Sequence, residues 1–243
     1  MAIQAKKTKS TWFTLLILIA AVALWAYDQK NDLTRPSPEP APSQGDGNAP
    51  FSKTSPTNAA LPQAGASKRI GRYEVFENCT LVEARNNDGD SFMLRLSNGK
   101  TAEFRLYFVD TPESAFKRYG GGETNHARIS QQAADLGGIT PEQAVEIGKQ
   151  GKAFTLGLLQ SKPITIFTEW DSPYNDGRYH AHVEMTHEGK TRWLHQLLVE
   201  RGLARIKTKP ADLPNGNGVA AEKSNLRRLE SEAKRNGIGV WGL

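Results

Sequence analysis

The sequence predicts an α+β, mainly β domain: a five-stranded barrel capped by about three helices, set behind an N-terminal apolar segment and a proline-rich linker. Three observations predict it. Two β-prone runs flank Asn98-Gly99, the dipeptide of a tight two-residue hairpin. Phe104, Leu106 and Phe108 alternate with Arg105, Tyr107 and Val109, the period-2 pattern of a strand with two unlike faces. The order of elements is three strands, a helix, two or three strands, then helices, which suits a small closed sheet with helical caps.

The N-terminal 27 residues form the first unit. Lys6, Lys7 and Lys9 precede an uncharged stretch from Ser10 to Tyr27. As a helix it would span about 27 Å, enough for a bilayer core. Trp12 lies at one end and Trp25 and Tyr27 at the other, where aromatic anchors belong. Basic residues before the stretch predict export of the rest of the chain, whether the segment stays as a membrane anchor or is cut at Ala21-Val22-Ala23 as a signal peptide. Residues 28–68 form the second unit, a linker with seven prolines among Ser, Gly, Asn and Ala. That composition cannot bury enough apolar surface to fold. As a coil its reach is roughly 35 Å.

Residues 69–243 form the domain. Its strands are expected at Tyr73 to Ala84, Ser91 to Leu96 and Thr101 to Val109. Thr140-Pro141-Glu142-Gln143 reads as an N-cap, a first-turn proline and a capping-box Gln. Ile147, Phe154 and Leu158 continue that helix on one face, while Gly148, Gly151 and Gly157 weaken it. Strands resume at Ile164 to Trp170, Arg178 to Thr186 and Lys190 to Trp193, with turns at Asp176-Gly177 and Glu188-Gly189. Leu194 to Arg201 reads as a short helix ended by Gly202, Leu203 to Ile206 as a short strand, and Val219 to Asn236 as a last amphipathic helix. The OB-fold is the architecture this order fits.

Bulk properties exclude little. A mean hydropathy of -0.54 excludes a multi-span membrane protein. The net charge of +5 hints at a polyanionic partner, but the domain from Arg69 onward carries 24 basic against 22 acidic residues. Charge arrangement must therefore carry any such inference. Cys79 is the single cysteine, so no disulfide forms within the chain, and it reads as a small buried apolar residue.

Two acidic segments bracket the first hairpin: Asp88-Gly89-Asp90, and Asp110-Thr111-Pro112-Glu113 at the end of the third strand. Strands joined by a tight turn are neighbours, so Asp90 and Asp110 converge at one barrel rim. Two carboxylates with a backbone carbonyl suit a hard cation such as Ca2+. Arg105, five residues before Asp110 on a largely apolar strand, needs an anionic partner, and its fork matches phosphate oxygens. A cation, a spare carboxylate and arginines are what in-line attack on a phosphodiester requires. Each part alone has a plainer reading as a turn, a helix cap or an ion pair. Their joint order outweighs those readings.

The run Asp88-Gly89-Asp90-Ser91, followed by Phe104 through Glu113, resembles the signature of the staphylococcal nuclease (thermonuclease) family. Asp176-Gly177-Arg178 resembles its second arginine motif. Gly189-Lys190 through Ala204, and Leu226 through Trp241, resemble its later helices. The resemblance implies an OB barrel that cleaves DNA and RNA with Ca2+. Asp90 and Asp110 would hold the ion through side chains and Thr111 through its carbonyl, with Asp88 close behind. Glu113 would orient or deprotonate the attacking water, and Arg105 and Arg178 would bind the scissile phosphate. A monomeric domain and a nucleic-acid substrate are implied by the same resemblance.

Departures from the family pattern are visible too. Asp176 stands where the family has Tyr, and the stacking tyrosines after Gly202-Leu203-Ala204 are replaced by Arg205-Ile206-Lys207-Thr208-Lys209. Stacking moves, if it is kept, to Tyr174 or Tyr179. Residues 114–138 exceed the family's minimum, and Tyr119-Gly120-Gly121-Gly122 reads there as a mobile loop that gates the site or is tolerated surface. His180 and His182 share a strand face; with His187 or His195 they make a minor zinc candidate, and exposed strand histidines are the plainer reading. Basic residues of the last helix, Lys223, Arg227, Arg228, Lys234 and Arg235, read as a solvated face because acids interleave them. The competing function is an inactive OB module that binds nucleic acid or protein at the cell envelope.

Overall fold

The computed structural model describes residues 68–243. The expected membrane or signal segment, and the linker up to residue 67, lie outside the described residues. Among the described residues no helix is long and apolar enough to cross a membrane.

Five strands close the barrel: β2 (Tyr73–Leu81), β3 (Ser91–Arg95), β4 (Thr101–Leu106), β6 (Ile164–Thr168) and β7 (Tyr179–His187). The β2–β3, β3–β4, β6–β7 and β2–β6 pairs are antiparallel, and β4–β7 is parallel. This is the OB-type closure the sequence predicts. The interior is filled by Phe92, Leu94, Phe104, Leu106, Ile166 and Val183, all fully buried. Cys79 is buried with them, and burial pushes its thiol up to about 11, so it is the inert apolar residue expected. β8 (Lys190–Trp193) extends the sheet beside β7 through a turn in which Glu188 and Gly189 both have positive φ. β1 (Lys68–Ile70), not expected from sequence, forms an exposed hairpin with β2. Two residue pairs, β5 (Val109–Asp110) and β9 (Arg205–Ile206), make a separate ladder in which Asp110 faces Arg205.

Four helices accompany the barrel where about three were expected: α1 (His126–Asp135), α2 (Pro141–Ser161), α3 (Leu194–Glu200) and α4 (Val219–Arg235). α1 is the addition. It lies in residues 114–138, where no helix was expected; Tyr119 to Gly122, read as a loop, precede it outside any helix or strand. It packs on α2 through a small cluster of Ile129, Ala133, Ala144 and Val145. α2 opens with the predicted capping box: Gln143 N–H donates to Thr140 Oγ1 (3.2 Å), and Thr140 N–H donates to Gln143 Oε1 (2.8 Å). Its glycines are not merely weak points. A Cβ on Gly148 would lie 2.6 Å from the Pro112 carbonyl oxygen, so the bare helix surface is what admits the Pro112-Glu113 backbone.

Candidate active site

Strand register assembles the first half of the site. Ser91 pairs with Arg105 across β3–β4, and Arg105 pairs with His180 across the parallel β4–β7 contact. Asp90, just before β3, and Arg178, just before β7, therefore flank Arg105. β5 follows β4 after a turn at Phe108, whose φ is positive, and brings Asp110 back towards the same rim.

Asp90, Arg105 and Asp110 are all buried there. Arg105 Nη2 donates to Asp90 Oδ2 (3.2 Å) and to Asp110 Oδ1 (3.0 Å), so one cationic nitrogen serves both carboxylates. Arg105 Nε is buried without an acceptor. A buried donor of this kind asks for an acceptor. Thr111 is buried beside it, and Asp88 caps the Gly89 N–H at 3.0 Å. Gly89 is needed as glycine, since a Cβ would come within 2.8 Å of the Thr111 side chain. Thr155 of α2 fixes the Gly89 carbonyl with a 2.7 Å hydrogen bond.

The second half comes from residues 114–138. Gln132, fully buried on α1, makes three hydrogen bonds to the Asp110–Glu113 segment. Its Nε2 donates to Asp110 Oδ2 (3.0 Å) and to the Thr111 carbonyl (3.1 Å), and its Oε1 accepts the Glu113 N–H (3.0 Å). Arg128, one turn earlier, reaches Asp110 Oδ1 (2.9 Å) and Glu113 Oε1 (3.1 Å). Lys117 Nζ (3.2 Å) and Asn125 Nδ2 (3.3 Å) both donate to Glu113 Oε2. From the barrel side Arg205 Nε adds a bond to Asp110 Oδ2 (2.8 Å). Asp110 thus meets donors from Arg105, Arg128, Gln132 and Arg205, which saturate a carboxylate's lone pairs.

The electrostatics separate the two buried acids. Burial acts to raise both. At Asp110, Arg128, Arg205, Gln132 and Arg105 outweigh it and hold the carboxyl below its usual range. At Asp90 burial prevails over Arg105, and the negative Asp110 and Asp88 add to it, so that carboxyl is held above its usual range. Burial raises Asp88 as well.

Each predicted site residue has a definite place. Asp90, Arg105, Asp110, Thr111 and Glu113 come together, with Asp88 alongside. Arg178 reaches the rim, where Nη1 lies 3.4 Å from Ser91 Oγ, but its guanidinium is paired with Asp176 at 2.5 Å. Asp176 also stands 4.0 Å from Arg105. Tyr174 is exposed and packs over the Arg105 guanidinium, 5.6 Å from ring centroid to Cζ. Tyr179 points elsewhere: it meets Trp170 edge-on at 5.0 Å, so of the two tyrosines Tyr174 alone lies at the site. The histidines are corrected from exposed to buried. His180 and His182 are almost completely buried; His182 Nε2 donates to the Asp212 carbonyl (3.0 Å), and His195 Nε2 lies 3.0 Å from Glu222. Among the described residues no three His, Cys, Asp or Glu side chains converge to hold a metal, so the minor zinc candidate has no cluster behind it.

Arg128, Gln132 and Arg205 were not singled out from sequence. A signal for Gln132 exists: it falls on the buried face of α1 with Ile129 and Ala133, and a polar residue on an apolar face asks for a partner. Arg205 was hidden in a two-residue strand whose pairing only the fold reveals.

Comparison with known proteins agrees with this geometry. No curated protein matches the chain. The family described as staphylococcal nuclease homologue matches residues 103–242, a span that contains Arg105, Asp110, Thr111, Glu113 and Arg178, while Asp88 and Asp90 precede it and join through the barrel. With more than half of the chain matched, and a closed five-stranded barrel carrying those residues to one rim, the chain belongs to the staphylococcal nuclease homologue family.

Proposed function

We propose that the domain is a nuclease that hydrolyses phosphodiester bonds in DNA or RNA, and that the segment before it delivers it outside the cytoplasm, to the membrane surface or beyond. The observation that carries this reading is Arg105: buried between two carboxylates, with Nε left without an acceptor, beside Glu113 and Arg178. In the reaction, Arg105 and Arg178 bind phosphate oxygens and stabilise the charge that builds as water attacks. Glu113 receives a proton from that water, and Lys117, Asn125 and Arg128 fix its orientation. Tyr174 is placed to stack on a base next to the scissile phosphate. The basic-then-apolar order of residues 1–27 supports export.

The residues fit Ca2+ as the family's ion. One cationic nitrogen already bridges Asp90 and Asp110, and with the Thr111 carbonyl they offer the hard oxygens that calcium takes. Asp90, Asp110 and Thr111 would hold it, and donors now on Asp110 and Thr111 would yield their places. When bound, the ion supplies Lewis acidity toward a phosphoryl oxygen.

A second reading, a binding module without chemistry, is favoured by the pairing of Arg178 with Asp176. Digestion of plasmid and single-stranded DNA by the full-length protein, with calcium and with EDTA, separates the two. Calcium-dependent cutting that disappears in the Glu113→Ala, Arg178→Ala variant supports the nuclease. A folded wild type that binds DNA without cutting supports the module.

A further inference from the structure

A cleft of 390 Å³ opens beside Arg205, between β9 and α4. Arg205, Lys207, Lys223 and Arg227 line it, against Asp135 and Glu230. The two acids are already engaged. Asp135 pairs with Arg205 and with Lys207 (3.5 Å), and Glu230 pairs with Lys234 (2.8 Å), which does not line the cleft. Among the described residues the side chains of Lys223 and Arg227 have no carboxylate within 4.0 Å and no hydrogen-bond partner; on the neighbouring row of α4, Arg228 is paired with Glu232 at 2.7 Å. Interleaved acids gave this helix the look of a neutral solvated face in sequence, but the pairing sorts it. Glu232 neutralises Arg228 on the outer row and Glu230 neutralises Lys234, while Lys223 and Arg227 keep their charge towards the cleft.

The cleft is continuous with the site. Arg205 bonds Asp110 through Nε and Nη2 and Asp135 through Nη1, so one side chain belongs to both. Lys223 and Arg227 stand one turn apart, about 6 Å along the helix axis. That is the scale on which phosphates succeed one another along a nucleic-acid backbone. No aromatic side chain lines the cleft, so it has no platform for bases.

We propose that this cleft is a strand-tracking subsite: Lys223 and Arg227, with Lys207, hold backbone phosphates of a nucleic-acid strand away from the bond being cut. The proposal rests on the nuclease reading of the neighbouring site for its choice of ligand. It predicts binding that ignores base sequence, depends steeply on salt and requires a strand long enough to reach both places.

The test is fluorescence anisotropy of the full-length protein in EDTA, with labelled oligothymidylates of about four and about 20 nucleotides over a salt series. Lys223→Glu/Arg227→Glu is compared with Lys223→Ala/Arg227→Ala and with Arg228→Glu on the outer row; thermal midpoints confirm that each is folded. The cleft variants are expected to lose about tenfold or more in affinity for the longer strand, with the alanine pair lowering the slope of log K against log salt by about 1.4, two single-strand phosphate contacts. The short strand and Arg228→Glu should change little. Equal affinities and slopes for wild type and alanine pair, an equal loss in Arg228→Glu, or no binding of the long strand by wild type would overturn the subsite. Cutting with calcium is read separately. A wild type that binds through Lys223 and Arg227 but never cuts keeps the subsite and removes the nuclease reading; one that cuts with no dependence on those residues does the reverse.

Discussion

The two halves of the site are built by different means. The barrel half places Asp90, Arg105, Asp110 and Arg205 through ladder register, so their positions come from backbone pairing that the whole sheet supports. The inserted half places Lys117, Asn125, Arg128 and Gln132 through side-chain bonds to Asp110, Thr111 and Glu113. Behind those bonds lie the small Ile129–Val145 cluster and Leu136, which reaches the main core. The barrel half is thus a frame, and the inserted half is held largely by side-chain bonds to Asp110, Thr111 and Glu113. Such a segment tunes a site more readily than it holds a fold.

Four perturbations sharpen or break this contrast. Asp110→Ala is the largest. It strips Arg105, Arg128 and Arg205 of their shared carboxylate and should cost about 3–5 kcal/mol, since breaking a buried ion pair leaves charge uncompensated. Urea unfolding measures it, and a loss under about 1 kcal/mol, the scale of a surface pair, would mean that the barrel half is not tied together at this residue. Glu113→Gln comes next: cleavage should fall by about 10² to 10⁴, the range of general-base catalysis, with little change in unfolding midpoint. Gln132→Ala should cost about 1–3 kcal/mol for the buried groups it orphans, and lower kcat more than it raises KM because it releases the Glu113 backbone. If stability falls and kcat does not, the inserted half is scaffold only. Arg128→Ala, at a half-exposed pair, should change stability by less than about 1 kcal/mol. Calorimetric titration should find calcium bound more tightly, as a competing donor leaves Asp110; unchanged affinity would show that the insertion does not compete with the ion.

The pH response is smaller and belongs to the barrel half. Burial lowers His180 to about 4 and His182 well below its usual value. The unfolded chain takes up those protons near pH 6.5 and the folded chain refuses them. Their contribution to stability is therefore whole above about 6.5 and declines as pH falls towards about 4. Asp90, raised by burial, acts in the opposite sense. The clean measurement is the difference between wild type and His180→Phe, whose midpoint should fall less over that window. Equal slopes would show that His180 does not titrate as its burial implies.

Much of the frame was legible because local chemistry is explicit in it. Asn98-Gly99 marks the turn, and Gly99 has the positive φ, at +83°, but Asn98 does not: Leu96 bonds Lys100 across a three-residue loop, which corrects the two-residue hairpin expected. Thr140, Pro141 and Gln143 specify a helix start by their own hydrogen bonds. Period-2 alternation marked β4. The inserted half carries no such marks. α1 has no side-chain N-cap bond and no acid in its first turn, and it buries just Ile129, Gln132 and Ala133, so its apolar period is nearly silent. β1 was unreadable for a related reason: all three residues are exposed, and no burial pattern exists to read. The glycines of α2 misled in the other direction. Helix propensity counts Gly148 as a loss, whereas its value lies in a tertiary contact with Pro112 and Glu113 that no local rule contains.

β1 also has a mechanical meaning. It enters the domain at Lys68 and pairs outward from its own tight turn, Lys68 opposite Val75 and Ile70 opposite Tyr73. A pull arriving from the N-terminal side loads these pairs one after another, as a zipper, and not all at once in shear. Three pairs, each exposed on the β1 side, would open at low force before load reached the rest of β2, which pairs with β6 from Glu74 onward. Under such a load the hairpin would act as a fuse, opening while the barrel, and the carboxylates set in its rim, stay at rest.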